Sequence, residues 1–193
     1  MAYQYDVFIS YKNHHVTNTW VIKFEEKLKY WLTQELGGNK PKIFFDKDTI
    51  ETGNIWPNTL KNGVKTSKCL LCIWTPEYFR SKWCLSEWLS FEERTTYLNN
   101  STHQIILPIR FHDGEHYPAQ AKLRQCTDVT NYSNTNNAFW ETQKAMELED
   151  TIKDLCKTLA VAIQAVPDFN DNFPIIEIDD ENPNPPQANR YKL

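Results

Sequence analysis

The chain has 193 residues, 40% of them hydrophobic and 13% aromatic, which is enough apolar material to fill one core and too much for a disordered protein. With 25 acidic against 21 basic residues the formal net charge is −4, so neither counterion-driven nucleic-acid binding nor a polybasic membrane patch is expected. The opening Met1-Ala2-Tyr3-Gln4-Tyr5-Asp6 lacks the basic and apolar stretches of a secretory leader, and no segment has the roughly 20 apolar residues of a membrane helix, so a cytoplasmic location is expected.

Residues 5–11, YDVFISY, are a β-branched and aromatic run that predicts a first strand, followed by the polar loop Lys12-Asn13-His14-His15. Asn18 is the expected N-cap of a helix with apolar residues at Val21, Phe24, Leu28, Trp31, Leu32 and Leu36, ending at Gly37-Gly38. Residues 42–45 predict a second strand, 46–58 a long loop containing Gly53 and Pro57, and 59–67 a modest helix. The run CLLCIW at 69–74 is apolar throughout, as a central parallel strand covered on both faces requires. Thr75 and Pro76 open a helical region that extends to about residue 98 with a break near Ser81. Residues 104–111 predict a fourth strand, which Pro108 places towards an edge. A brief strand near 127–129 precedes a long final helix marked by Leu148, Ile152, Leu155, Leu159, Ala162, Ile163 and Val166.

Strands alternating with helices predict an α/β fold, a three-layer sandwich around a parallel sheet of four to five strands. The domain is expected over residues 1–166, with 167–193 as a Pro-rich acidic tail carrying five prolines. Within that tail, residues 173–178 either dock as an extended segment or stay disordered; both are open. The five cysteines are read as free thiols, because Cys69 and Cys72 point to opposite faces of a strand and cannot chelate one metal together.

In an open parallel sheet the ligand crevice forms beyond the carboxyl ends of the strands, which selects residues 12–17, 46–58 and 75–87. With five glycines and no G-x-G-x-x-G or G-x-x-x-x-G-K after a strand, the dinucleotide fingerprint and the phosphate loop are both missing. A phospho-acceptor receiver needs an aspartate at the end of the third strand, where Trp74-Thr75 stand instead. The strongest local signal is SKWCLSE at 81–87: Trp83 and Glu87, four apart, share a helix face. Phe91 and Arg94 extend that stripe, while Leu85, Trp88 and Leu89 turn to the core. An acid beside an aromatic plate suits a sugar; the ordinary alternative is a core tryptophan and a solvated glutamate.

Four motifs in order, YDVFISY, the DKDTIETGNIW segment at 46–56, CLLCIWTPEYFRSKWCLSEW in the middle and Phe139-Trp140, resemble a TIR domain of the bacterial kind over about residues 3–166. The resemblance implies a flavodoxin-like TIR fold. It equates residues 46–58 with the BB loop and puts the glutamate of the NAD⁺-cleaving members at Glu87, with Trp83 as the matching tryptophan. It further implies substrate contacts from Ser10, Tyr11, Lys12, Asp46, Trp56 and Trp83, with NAD⁺ as substrate and neither cofactor nor metal. Two departures stand out. Lys12-Asn13-His14-His15 follow the first strand where many members carry Ser or a charged residue, and a D-x-D-x-I-x-x-G-x-x-W loop replaces the R-D-x-x-P-G of many animal adaptors, which favours the enzymatic branch.

On this reading the chain is an NAD⁺ glycohydrolase or ADP-ribosyl cyclase, in which a carboxylate stabilises the oxocarbenium-like ribose left as nicotinamide departs. Attack by water and attack by another part of the same nucleotide are both open. The resemblance also implies self-association through the BB loop and, as in bacterial antiphage systems, an effector that reads the product. Two other readings remain: a non-catalytic module acting by TIR–TIR contact, and a nucleoside 2-deoxyribosyltransferase-like enzyme, which leaves the BB-loop motif unexplained. The pairs His14-His15 and His112/His116 lack a third ligand and are set aside.

Overall fold

The computed structural model describes residues 2–45, 58–98 and 104–178. Five strands, β1 (Tyr5–Tyr11), β2 (Ile43–Phe45), β3 (Ser67–Trp74), β4 (Ile106–Arg110) and β5 (Thr127–Asp128), form one parallel sheet in the order β2-β1-β3-β4-β5. Helices α1 (His15–Glu35), α2 (Asn58–Thr66), α3 (Lys82–Tyr97), α4 (Ala119–Lys122) and α5 (Gln143–Ala165) cover it. The fold is α/β and flavodoxin-like, with five strands.

The period of two along each strand divides the core into two. Val7 and Ile9 of β1, Cys69, Leu71 and Ile73 of β3, and Leu107 and Ile109 of β4 face α1 and α5. Phe8 of β1, Leu70, Cys72 and Trp74 of β3, and Ile106 of β4 face α2 and α3. Covered on both sides, β3 is buried along nearly its whole length, which is why its sequence does not alternate. Cys69 and Cys72 fall in different cores, as their spacing requires.

Two placements differ from expectation. Helix α1 starts at His15, not after Asn18, because the His14 ring accepts a hydrogen bond from the Val16 amide and caps the helix. Asn18 supports that cap from within the first turn, accepting from the His14 amide at 3.1 Å and donating to Asn13 at 2.7 Å. Strand β4 is not at the edge: β5 lies outside it. Proline is tolerated there because β5 pairs with β4 only at Ile109 and Arg110, so the outer ladder begins after Pro108. Helix α5 runs from Gln143 to Ala165, and the expected Leu148, Ile152, Leu155, Leu159, Ala162 and Ile163 form its buried face.

The chain after α5 folds back along α3. Phe173 is 3% exposed and stacks over the Arg94 guanidinium, 4.5 Å from its carbon. Further on, the Ile176 amide donates to Ser90 at 2.8 Å and the Ile178 amide to Ser86 at 3.0 Å, while Glu177 pairs with Lys61 of α2 at 2.7 Å. Two serines four apart thus form a polar rail that takes the backbone of an otherwise irregular segment.

Candidate functional site

Strand order reverses its direction of winding between β1 and β3, the position where doubly wound sheets leave a crevice at their carboxyl ends. A shallow cleft lies there, with an enclosed volume of about 10 Å³, room for roughly one water. Tyr11 and Lys12 supply it from the end of β1, Thr17 and Val21 from α1, and Ile73, Thr75 and Phe111 from the ends of β3 and β4. Its apolar walls belong to the core on the α1 and α5 side.

Glu87 sits at the same end of β1 but on the other side of the sheet. Ser81 caps α3, accepting from the Cys84 amide, so the helix begins at Lys82 and turns Glu87 inwards. Glu87 is 5% exposed. Oε2 accepts a hydrogen bond from Ser10 Oγ at 2.5 Å, and Ser10 Oγ lies 2.9 Å from the Tyr78 hydroxyl. Ser10 and Tyr78 are 1% and 0% exposed. Burial pushes the Tyr78 phenol well above its usual range, with Cys72, Cys84 and Glu87 adding to the rise. Burial likewise raises the Cys84 thiol; the Glu87 charge raises it further, and Lys12 opposes both. Lys12 lines the cleft, and its charge is also felt at Cys84 on α3.

The residues singled out in the sequence come together unevenly. Glu87 and Ser10 are in contact; Tyr11 and Lys12 line the cleft; Trp83 packs, half-buried, against the core on the α3 side. Asp46 and Trp56 lie outside the described residues. The stripe running on from Glu87 is the buried face of α3, not a solvent-facing one: Phe91 and Arg94 are 0% and 1% exposed. Arg94 has a structural task there, donating to the Ser67 carbonyl at 2.7 Å and the Val64 carbonyl at 2.8 Å. Tyr78 was not foreseen. A polar residue at position 10, next to Phe8 on the same strand face, is the signal that a buried hydroxyl needs partners from across the sheet.

Other reactive types take no part. The five cysteines are free, and burial lifts Cys69 and Cys156 to about 12, which keeps them as thiols. His14 is a helix cap and His112 pairs with Asp113. Among the described residues no three His, Cys, Asp or Glu side chains converge as a metal would need, and no helix is long and apolar enough to cross a membrane.

Residues 7–144 match the family model of the TIR domain. A segment of 106 residues, 55% of the chain, is 32% identical to NAD(+) hydrolase TirS of Staphylococcus aureus (strain MSSA476). One of 109 residues, 56% of the chain, is 30% identical to Protein SUPPRESSOR OF npr1-1, CONSTITUTIVE 1 of Arabidopsis thaliana. The matches span 34% and 7% of those relatives' own lengths. Among solved structures, the TIR domain of the Toll-related receptor TRR-2 of Hydra magnipapillata superposes with a TM-score of 0.43 at 18% identity, over 76% of this chain and 99% of that one. The TIR domains of the activated Roq1 resistosome give 0.40 at 16%, over 84% and 86%.

Proposed function

This chain belongs to the TIR domain family, and from that premise we propose that it cleaves the bond between nicotinamide and ribose in NAD⁺, with Glu87 as the catalytic carboxylate. The observation that carries the reading is the carboxylate held among buried groups at the carboxyl end of β1, the end at which the sheet's switch point lies, on the face opposite the cleft. When the glycosidic C–N bond breaks, its electron pair leaves with the nicotinamide nitrogen, and positive charge spreads over the ribose C1′ and ring oxygen. A carboxylate at that spot gains attraction only as the charge develops, and a weakly polar surround makes the gain larger than water would allow. Water then adds to C1′ and gives ADP-ribose and a proton, or another nucleophile of the same nucleotide closes a ring. No cofactor or metal is required.

Lys12 faces the pyrophosphate across the cleft and Trp83 shields the ribose; Tyr11 walls the cleft, and the family resemblance adds Asp46 and Trp56, which lie outside the described residues. At 5% exposure Glu87 is nearly enclosed within one chain, and self-association through the BB loop completes the site from two copies. As part of a bacterial antiphage system, the chain hands its product to an effector or depletes NAD⁺.

The test is to incubate the full chain with NAD⁺ over a range of protein concentrations and resolve nicotinamide, ADP-ribose and cyclic products by chromatography. Nicotinamide release per chain should rise with concentration, and Glu87→Ala should lower it by about 10²-fold or more, roughly 3 kcal/mol. The near-complete burial of Glu87 favours one other reading, a TIR–TIR contact module in which Glu87 is an internal acceptor. Intact NAD⁺ at the highest concentration, with a crowding agent present, would select that reading.

A further inference from the structure

Ser10 is the one polar side chain that β1 turns into the core on the α3 side, and its single proton has to go somewhere. A serine hydroxyl donates one hydrogen bond and accepts up to two. Its 2.5 Å contact with Glu87 Oε2 uses the proton, the Ser10 hydroxyl being the donor there. The 2.9 Å contact with Tyr78 must then run the other way, the phenol donating to Ser10 Oγ. Each polarity follows from the next, and the three groups form a file that starts at a phenol kept protonated by its burial and ends at the carboxylate.

We infer that Ser10 and Tyr78 are positioning residues for Glu87: the file from Tyr78 through Ser10 to Oε2 fixes which way the carboxylate faces without either hydroxyl touching substrate. The inference rests on the catalytic reading of Glu87 given above. It reassigns Ser10, which the family resemblance puts among the substrate contacts. With 1% of its surface exposed and its hydroxyl engaged on both sides, Ser10 offers no face to a ligand. Tyr78 is held from a different element, the 3-10 turn Tyr78–Arg80, whose first amide donates to Thr75 Oγ1 at 3.1 Å. The carboxylate on α3 is thereby referenced both to β1 and to the loop that leaves β3. Pre-orientation of this kind raises rate without strengthening substrate binding, since the aimed group meets its partner charge only as the bond breaks.

The experiment compares the parent with Ser10→Ala, Tyr78→Phe and Glu87→Gln in the full chain, measuring kcat and KM for NAD⁺ together with thermal melting, and adds a crystal structure of S10A. The expected result is a kcat lowered by roughly 10-fold or more in S10A and by less in Y78F, where the Ser10–Glu87 bond survives, with KM within about 2-fold of the parent in both. In the S10A structure the carboxylate should leave its parental orientation. A raised KM at unchanged kcat in S10A would make Ser10 a substrate contact and overturn the inference. Full kcat in S10A beside an inactive E87Q would overturn it too, while leaving the catalytic reading of Glu87 intact. If the parent itself leaves NAD⁺ untouched, the catalytic reading fails; the S10A structure then decides alone, and an unmoved Glu87 carboxylate overturns the positioning role.

Discussion

Arg94 shows how a charge is kept inside this protein. Its guanidinium lies between the rings of Phe91 and Phe173, at 4.2 and 4.5 Å, and gives its protons to backbone carbonyls at the α2–β3 junction. Burial lowers it to about 10, which leaves it charged at neutral pH. Arg94→Met fills much of the space but strands two carbonyls, at a cost of about 3 kcal/mol measured by urea unfolding; a loss under about 0.5 kcal/mol would contradict the assignment. The Arg110–Asp128 pair at the end of β4 is the opposite case. The hydrogen bond from Arg110 holds the Asp128 carboxyl at about 2, yet the two side chains are 39% and 45% exposed, so solvent screening limits the pair to about 1 kcal/mol or less. A carboxyl lowered on folding stabilises the fold above its unfolded value near 3.9 and stops doing so as pH falls through its folded value. Parent and Asp128→Asn should therefore differ slightly at pH 7 and converge between about pH 4 and pH 2 in acid titrations of stability.

At the scale of elements, α3 is the piece on which most depends, because it carries Glu87 on one face and the returning C-terminal segment on another. That segment is anchored by Phe173, which also meets Tyr3, Tyr97 and Phe169 in ring contacts of 5.7 to 6.2 Å. Phe173→Ala should cost about 3 kcal/mol, or roughly 6–12 °C in melting temperature for a chain of this size; an unchanged melting curve would show the segment to be unneeded. Apolar periodicity located the strands and the four longer helices, since burial on one or both faces leaves its mark residue by residue, whereas the single turn of α4 is too short to show it. Ends were less legible. A histidine serves as the α1 cap where an asparagine four residues on was the better candidate by type, and the choice was made by side-chain geometry that periodicity does not record. Docking of residues 173–178 stayed an open alternative because its signal, Ser86 and Ser90 on a helix already rich in apolar faces, is intelligible only once the partner backbone is beside it.

For the whole molecule, the sheet order places the ends of β1 and β3 side by side, and with them a cleft on one face and a buried carboxylate on the other. The candidate glutamate was legible from the W-x-x-x-E spacing together with the family resemblance. Its burial was not, because helical spacing tells which residues share a face but not which face meets the sheet. Ser10 was legible as a residue, but its 2.9 Å contact with Tyr78 was not. The most direct measurement is nicotinamide release from NAD⁺ by the full chain and by Glu87→Gln, which keeps the side chain's shape and an acceptor for Ser10 but removes the charge. Cleavage by the parent with a fall of about 10²-fold or more in the variant is the predicted result; equal rates in the two proteins, or intact NAD⁺ with both, would contradict it.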